Sequence, residues 1–504
     1  MKEPPAFLAF DLGAESGRVV LGRLRGKPDS RTIFADRIEL QEIHRFSNEP
    51  IQVEDSLQWD VHHLWSEMMQ GLELAVREAG DALVSLGVDT WGVDFALLDS
   101  FDHLLGNPFH YRDRRTEGMV EAACSILTRS ELYDQTGIQI MPVNSLYQLL
   151  SLVKSGSTQL AEARTFLNMP DLFNFWFSDV KASEFTIATT TQCFDPRRNY
   201  WALGMLKKFG IPTDIFKEII PPGTVLGSLR SDIAKKVGAN GVKVVAVASH
   251  DTQSAIVAVP TTTDDYLYLS SGTWSLIGTE SVQPVINRAS LDCDLTNEGG
   301  YGGKICLLKN IIGLWILQEC RQVWAKSGQQ YSYNDLIQLA ASASSLSTFI
   351  DPSDSRFLPP GDMPGRIQAF CRETGQLIPE THAKIVRCIL ESLALEYRNV
   401  ADRISNLLGR SLPVIHIIGG GSRNNLLNQF AANATGRVVF AGPVEATAIG
   451  NILVQAIATK QIKSLSEART IVRNSFDVAI FKPFSKAEWD EAYYRYLNIK
   501  GNTK

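Results

Sequence analysis

A short polar bend near the start of the chain carries residue types that bind phosphate. The segment DLGAESGR, residues 11–18, lies between the apolar runs AFLAF and VVLGRL. Gly13 and Gly17 permit backbone conformations that other residues avoid, which predicts amide groups that converge on one anion. Ser16 and Arg18 add a hydroxyl donor and a permanent positive charge. Asp11 is better suited to a hydrated Mg²⁺ than to phosphate. A polar hairpin turn is the alternative interpretation.

Two further glycine-containing bends could complete a nucleotide site. SSGTW, residues 270–274, offers a second hairpin for phosphate, and the glycines at 419–421 would let the backbone approach a flat ligand such as adenine. A Ser/Thr turn and a tight strand-to-helix turn are the alternatives. The chain has no GxxxxGK[ST] motif, and Asn424 stands where a dinucleotide or protein-kinase loop has its third glycine. Any nucleotide site is therefore of another kind.

A carboxylate that could accept a proton follows an apolar run late in the first half. In VKVVAVASHDTQSAIVAVP, residues 242–260, the sequence turns polar at residues 249–252. Such a run is typical of a parallel strand buried on both faces, and open α/β sheets bind ligands at the carboxyl ends of these strands. Asp251 could deprotonate a hydroxyl that attacks a γ-phosphate, or it could cap the next helix. His250 could contact a backbone carbonyl or a substrate hydroxyl.

Three polar and aromatic segments have the groups that bind a polyol. They are the bend at Trp91 and Gly92, the run YRDRR at 111–115, and LKNIIGLW ending at Trp315. An aromatic face packs on C–H surface, and amide or guanidinium groups donate to hydroxyls. Helix caps and surface charges are the alternatives, in particular for the arginines.

The elements around these residues predict an α/β protein. Strand, glycine-containing bend and strand occur at the start of the chain and again after Pro260, which suggests an internal duplication. WDVHHLWSEMMQGLELAVREAG predicts a helix with Asp60 as its N-cap and Gly80 as its end. LPVIHIIGGGSRNNLLNQFAANATGRVVF predicts strand, helix and strand, with Ser422 capping the helix and Gly436 ending it.

Length and composition point to two domains and a small-molecule partner. For 504 residues we expect domains at 1–259 and 260–504, and FKPFSKAEWDEAYYRYL predicts a last helix that could pack on either. The formal net charge of -6 with scattered basic residues disfavours a nucleic-acid partner. No apolar stretch is long enough for a signal peptide or a membrane span, and seven widely spaced cysteines without a CxxC pair fit reduced thiols. We therefore expect a cytoplasmic protein without a membrane partner.

Ten motifs together resemble one protein family over nearly the whole chain. In chain order they are DLGAESGR, GVDTWGVDF, YRDRRT, NSLYQL, ATTTQ, VAVASHDT, YLSSGTWSL, LKNIIGLWILQ, IIGGGSRNNLLNQ and AGPVEATAIGN. They resemble the FGGY carbohydrate kinases of the actin-like ATPase superfamily. The resemblance implies two actin-like, ribonuclease H-like domains with mixed sheets flanked by helices and an active-site cleft between them. It also implies phosphorylation of L-rhamnulose at its C1 hydroxyl by MgATP in L-rhamnose catabolism, by a monomer or a homodimer.

The resemblance implies roles for individual residues as well. Asp251 resembles the proton acceptor. The implied sugar contacts are Gly92, His250, Asp251, Thr252 and Asn310. The implied nucleotide contacts are Ala14, Glu15, Ser16, Gly17, Arg18, Thr273, Gln318 and Gly420. Glu15 departs from the family's loop, where a serine is expected, but a glutamate that points outward is compatible with phosphate binding by backbone amides.

Three alternatives remain open from the sequence. A related deoxy-ketose such as L-fuculose could be the substrate, because specificity depends on hydroxyl geometry. An actin-like or chaperone-like ATPase would hydrolyse ATP without a sugar. A nucleotide-binding protein without catalytic activity is disfavoured, because Asp11, Arg18 and Asp251 are all present.

Overall fold

The computed structural model describes residues 3–26 and 35–502. The strands of this part are, in chain order, β1 (Ala6–Leu12), β2 (Ser16–Gly26), β3 (Ala35–Ser47), β4 (Ile51–Val53), β5 (Ser56–Gln58), β6 (Leu83–Thr90), β7 (Phe95–Leu98), β8 (Thr165–Asn168), β9 (Ser183–Glu184), β10 (Phe194–Asp195), β11 (Tyr200–Trp201), β12 (Ile219–Ile220), β13 (Thr224–Ser228), β14 (Lys243–Ala246), β15 (Leu267–Ser271), β16 (Trp274–Ser281), β17 (Thr296–Gly299), β18 (Ile305–Ile312), β19 (Val414–Ile418), β20 (Val438–Ala441) and β21 (Ala479–Phe481). The α-helices are α1 (Val61–Ala79), α2 (Met119–Cys124), α3 (Arg129–Thr136), α4 (Ser145–Lys154), α5 (Thr158–Glu162), α6 (Met169–Ser178), α7 (Phe185–Thr189), α8 (Leu203–Lys208), α9 (Ser231–Val237), α10 (Asp251–Val257), α11 (Arg288–Asp292), α12 (Trp315–Lys326), α13 (Tyr333–Ser342), α14 (Met363–Glu373), α15 (His382–Leu408), α16 (Asn425–Thr435), α17 (Ala446–Ala458), α18 (Leu465–Ser475) and α19 (Lys486–Asn502). Within these two ranges no helix is long and apolar enough to cross a membrane.

The chain divides into two compact units, each assembled from separate segments. Unit 1 combines Met1–Pro260, Glu280–Leu307 and Ala446–Phe476. Unit 2 combines Thr261–Thr279, Leu308–Glu445 and Asp477–Lys504. The linear division at residue 260 stays a prediction, and the compact units follow chain order only in part.

Unit 1 is built on a six-stranded mixed sheet in the order β13-β14-β6-β1-β2-β3. β1 runs antiparallel to β2 and parallel to β6, and β6 runs parallel to β14. Every residue of β1 is buried because helices cover both faces of the sheet. Leu8 and Phe10 share a core cluster with residues of α1 and α6, while α17 contacts β1 and β6. Alternation along the strand puts Asp11 on the face opposite Phe10.

Helix α1 begins and ends where its sequence predicts. The Asp60 carboxylate accepts a hydrogen bond from the His63 amide at 3.0 Å, and Gly80 follows the helix with φ 51°. Leu64 and Met68 are buried on one face, as their i, i+4 spacing predicts. The predicted start and end of this helix are confirmed.

The sheet of unit 2 repeats the strand arrangement of unit 1. β15 runs antiparallel to β16 and parallel to β19, β19 runs parallel to β20, and β20 runs antiparallel to β21. The order β18-β16-β15-β19-β20-β21 therefore matches β3-β2-β1-β6-β14-β13 strand for strand. This correspondence is what an internal duplication would produce.

The prediction that Ser422 caps the helix after the three glycines is wrong. Residues 420–423 form a 3₁₀ turn, so α16 begins later than the sequence suggested. The cap is Asn424, whose side chain accepts a hydrogen bond from the Leu427 amide at 3.1 Å. Gly436 ends the helix in the left-handed conformation, as predicted.

The last helix, α19, belongs to unit 2 and is tied to α15 by a buried ion cluster. The Glu396 carboxylate accepts hydrogen bonds from Lys500 and from the Tyr496 hydroxyl, both at 2.7 Å, and Lys309 Nζ lies 3.5 Å from it. Burial alone would raise the pKa of Glu396, but the charges of Lys500 and Lys309 outweigh it and lower the pKa to about 2.

We expect the protein to lose stability as the pH falls from about 4.5 to about 2. The folded pKa of Glu396 lies below its unfolded value, so the ionised carboxylate stabilises the fold above this range and protonation removes that contribution. Glu396→Gln should lower the free energy of unfolding near neutral pH by about 2 kcal/mol and weaken its dependence on acid pH. Urea unfolding across this pH range is the measurement. Glu488→Gln, at an exposed position of α19, is the matched control and should behave like the wild type.

Candidate active site

The first glycine-containing bend connects β1 to β2 and is held by hydrogen bonds from a residue outside this hairpin. Asp11 and Arg18 are opposite each other in the register and form an ion pair. Asn48, which the sequence analysis missed, donates its side-chain amide to the Gly13 carbonyl at 2.7 Å and its backbone amide to the Glu15 carbonyl at 3.1 Å. The Glu15 side chain is exposed. Asn48 therefore fixes the shape of the bend.

The predicted reason for the two glycines of this bend is wrong. Neither Gly13 nor Gly17 has a positive φ, so neither needs a backbone conformation that other residues avoid. Gly17 is required for space, because a Cβ atom there would lie 2.3 Å from the ring of Phe46. Ala14 and Ser16 are half-buried beside it.

Three carboxylates of unit 1 come from neighbouring strand ends. Asp11 on β1 is the register partner of Asp89 on β6. Asp251 follows β14, and the backbone at Thr90 pairs with His250, so Asp251 comes directly after that bridge. Burial raises the pKa of Asp89 well above its usual range, the charge of Asp11 adds to this, and a hydrogen bond from Asn451 at 2.6 Å opposes it. Burial and the charge of Asp11 therefore favour the protonated form of Asp89.

Asp251 is the first residue of α10 and does not occupy the cap position, which belongs to His250. It accepts hydrogen bonds from the amide and the hydroxyl of Thr252, the latter at 3.2 Å. Its side chain stays 31% exposed, so a ligand can reach it. Removal from water raises the pKa of Asp251, the charge of His250 lowers it and that of Asp11 raises it, with a net rise. A carboxylate with a raised pKa is a stronger base.

His250 lies between two carboxylates. Its Nε2 is 3.5 Å from Asp251 Oδ1, and its Nδ1 is 3.2 Å from Oε2 of Glu298, a residue that the sequence analysis did not identify. Burial by itself would lower the pKa of His250, but Glu298, Asp251 and Glu184 raise it above the usual value. These carboxylates favour the protonated form of the ring.

A buried glutamate secures the backbone ahead of Asp251. Glu184 Oε2 accepts hydrogen bonds from the Ser249 amide at 3.1 Å and from the Thr186 hydroxyl at 2.6 Å. The Thr186 hydroxyl oxygen in turn accepts from the His250 amide at 3.2 Å. Burial raises the pKa of Glu184 to about 7 against these hydrogen bonds. The strand end that carries the candidate base is thus fixed to the start of α7.

The bend at Trp91 and Gly92 follows β6 and is strained. Val93 has φ 68°, which is rare for a β-branched residue, and its amide donates to the Thr190 hydroxyl at 3.1 Å. Asp94 accepts hydrogen bonds from the Trp91 indole at 3.0 Å and from the Tyr111 amide at 3.2 Å. Burial raises the pKa of Asp94 to about 6. This carboxylate joins the bend to the YRDRR run.

The SSGTW bend of unit 2 is held by the start of α12. The carbonyls of Gly272 and Thr273 accept hydrogen bonds from the amides of Leu314 at 3.0 Å and Trp315 at 3.1 Å. One turn later, the Gln318 side chain donates to the Thr273 hydroxyl at 3.3 Å. Thr273 and Gln318 are therefore brought together.

The three glycines of unit 2 lie beside the same bend. A Cβ atom on Gly421 would meet the carbonyl oxygen of Ser271 at 2.7 Å, and Gly419 has φ 82°. Gly420 is exposed with open space on its Cβ side, so a ligand can approach its backbone. Asn310 is half-buried near the end of β18 in the same unit.

The described residues contain no cluster of three or more His, Cys, Asp or Glu side chains able to hold a metal ion. All seven cysteines are free thiols. The candidate residues thus form one group in unit 1, around Asp11, the first bend and residues 250–252, and another in unit 2, around Thr273 and Gly420.

Both halves of the sequence match the domains of one protein family. The N-terminal domain of the FGGY family of carbohydrate kinases matches residues 7–258, and the C-terminal domain of that family matches residues 267–459. The chain belongs to the FGGY family of carbohydrate kinases. The predicted family and the predicted enzyme class, a sugar kinase, are confirmed.

Two relatives illustrate the similarity. A rhamnulokinase from Bacteroides thetaiotaomicron is 42% identical over 492 residues, which are 98% of this chain and 99% of that protein. A rhamnulokinase from Halalkalibacterium halodurans is 42% identical over 471 residues, 94% of this chain and 97% of that protein.

Solved structures show the same fold at much lower identity. The gluconate kinase from Lactobacillus acidophilus is similar with a TM-score of 0.80 at 17% identity, covering 99% of this chain and 98% of that chain. The glycerol kinase from Plasmodium falciparum with ADP has a TM-score of 0.77 at 16% identity, covering 98% of each chain. The predicted α/β fold class with two actin-like domains is confirmed.

Proposed function

We propose that this chain transfers the γ-phosphoryl group of MgATP to the C1 hydroxyl of L-rhamnulose. The products are ADP and L-rhamnulose 1-phosphate, and the reaction belongs to L-rhamnose catabolism. The observation that carries the proposal is the 42% identity to a rhamnulokinase over 98% of the chain. We place the reaction in the cytoplasm, with the protein acting as a monomer or a homodimer.

The proposed chemistry depends on Asp251. The C1 oxygen attacks the γ-phosphorus while Asp251 takes the hydroxyl proton, and the bond from the γ-phosphorus to the β-phosphate oxygen breaks with its electron pair on ADP. The raised pKa of Asp251 supports this role, because it brings the base closer to the pH at which the enzyme works. The proposed sugar contacts are Gly92, His250, Thr252 and Asn310.

The proposed nucleotide contacts lie on the glycine-containing bends. They are Ala14, Glu15, Ser16, Gly17, Arg18, Thr273, Gln318 and Gly420. The open space at Gly420 and the hydrogen bond that orients Gln318 support them. The exposed side chain of Glu15 is compatible with phosphate binding through the backbone of that bend.

Mg²⁺ is the expected partner of ATP, and Asp11 is the residue that we propose to hold it. Mg²⁺ keeps several waters and needs only one or two carboxylates besides the phosphates, so the absence of a three-ligand cluster among the described residues fits this ion. When bound, Mg²⁺ neutralises charge on the phosphates. Arg18 holds the Asp11 carboxylate in place through the ion pair across the hairpin.

A substrate panel tests the proposed function. We would measure ADP release with MgATP and L-rhamnulose, L-fuculose or L-ribulose, and with no sugar. We expect kcat/KM to be highest with L-rhamnulose by about tenfold or more, because a site built for one hydroxyl pattern leaves polar groups unpaired with another. A preference for L-fuculose would replace the substrate, and equal ADP release without sugar would favour an ATPase.

A further inference from the structure

Glu298 is a buried carboxylate beside the candidate base that no part of the proposed reaction uses. It lies on β17 and is 4% exposed. Its Oε2 is 3.2 Å from His250 Nδ1 and accepts a hydrogen bond from the Gln253 side chain at 3.3 Å. A carboxylate is costly to bury unless it is paired, and a protonated His250 would be the ion partner of Glu298.

The strand that carries Glu298 is fixed against α7. The Gly299 amide donates to the Thr189 hydroxyl at 2.8 Å. A Cβ atom on Gly299 would lie 2.5 Å from the ring of Phe185, so the backbone approaches this ring as closely as a glycine permits. Glu298 is therefore held in a rigid position relative to His250.

The charged groups around His250 come from three elements. Glu298 faces it from β17, Asp251 from α10, and Glu184 from the residue that precedes α7. Asp251 is influenced in turn by His250 and by two carboxyl groups, Asp11 on β1 and Asp89 on β6. These carboxylates favour the protonated form of His250, whose Nε2 lies 3.5 Å from Asp251 Oδ1.

We propose that Glu298 is a positioning residue for phosphoryl transfer, which holds the His250 ring as an imidazolium with Nε2 toward the Asp251 carboxylate. The inference rests on the proposed function, because it takes Asp251 as the base. The positive ring favours the ionised form of Asp251 against the burial that raises the pKa of this carboxyl. Glu298 touches neither reacting atom in this scheme and acts only through His250.

The test is Glu298→Gln, which keeps the size of the side chain and removes its charge. His250 should then lose its proton at lower pH, and Asp251, without its cationic neighbour, should be protonated at higher pH. Because the base must be ionised, the acid limb of the kcat/KM profile should move to higher pH by about one unit. We also expect kcat to fall about tenfold. Glu298→Asp, which restores the charge, should recover part of both.

A second measurement does not depend on activity. The imidazole of His250, assigned by comparison with His250→Asn, can be titrated by NMR in the folded protein. Its titration midpoint should fall in Glu298→Gln. Glu280→Gln is the matched control, since Glu280 is a buried glutamate of unit 1 that pairs with Arg469 at 3.0 Å. This control should keep the wild-type pH profile and the wild-type His250 midpoint.

The outcomes separate this inference from the proposed function. A Glu298→Gln enzyme with the wild-type pH profile, kcat and His250 midpoint would overturn the positioning role. If Asp251→Asn is inactive in that same series, the proposed base stands and only the inference fails. If Asp251→Asn is active, the proposed mechanism itself fails.

Discussion

Replacing Asp251 with asparagine should lower kcat for L-rhamnulose phosphorylation by about 10²–10⁴-fold, the usual contribution of a general base. Asparagine has nearly the same shape and keeps an oxygen that can accept the hydrogen bonds from Thr252. What it lacks is the ability to take the proton of the attacking hydroxyl. The measurement is ADP release at saturating MgATP and sugar, with MgATP binding followed by calorimetry to show that the nucleotide site is intact.

The matched control for this prediction is Asp60→Asn. Asp60 also stands at the start of a helix and accepts a backbone amide, and asparagine is an equally good cap. It should retain wild-type kcat. An Asp251→Asn enzyme that keeps more than about a tenth of wild-type kcat would contradict a general-base role for this carboxylate.

The parts of the site that the sequence predicts are those set by local interactions. A glycine-containing bend between two apolar runs forms a hairpin whatever lies around it, and the polar residues after an apolar strand lie at its carboxyl end. Asp251 and the first bend were identified in this way. The sequence does not decide between Ser422 and Asn424 as the cap of α16, because the choice depends on one 3₁₀ turn.

The supporting residues could not be identified from sequence, because long-range packing selects them. Asn451 donates to the Asp89 carboxylate across 362 positions of the chain. Glu184 reaches the Ser249 amide across 65 positions. Buried polar side chains of these types occur throughout a core of this size, and their spacing along the chain carries no period that would single them out. Only the folded backbone brings these groups together.

Helix α17 is the clearest case of long-range positioning. It follows β20 of unit 2 in the sequence, yet it belongs to unit 1. Gln455 donates to the Leu8 carbonyl at 2.9 Å, and Asn451 donates to the Gly87 carbonyl at 3.2 Å. The helix is therefore hydrogen-bonded to backbone carbonyls of β1 and β6. It also packs closely on α10, the helix that begins with Asp251.

The contact between α17 and α10 supports a second prediction, a large effect of Gly450→Ala on stability and kcat. A Cβ atom on Gly450 would lie 1.7 Å from the backbone carbonyl oxygen of Ser254, which is too close for any adjustment of side chains to relieve. Gly450→Ala should therefore push the two helices apart. We expect the free energy of unfolding to fall by about 3 kcal/mol. We also expect kcat to fall, because α10 carries Asp251.

Gly204→Ala is the control, because Gly204 is an exposed helical glycine of α8 with no atom within 4 Å of the added Cβ. Alanine is the better helix former by about 1 kcal/mol, so this variant should be as stable as the wild type or slightly more stable. Urea unfolding and kcat would be measured on both variants. Equal stability of the two would mean that the α10–α17 contact is not formed in solution. A loss of stability and of kcat in Gly450→Ala, but not in Gly204→Ala, would show that a helix distant in sequence determines where the candidate base lies.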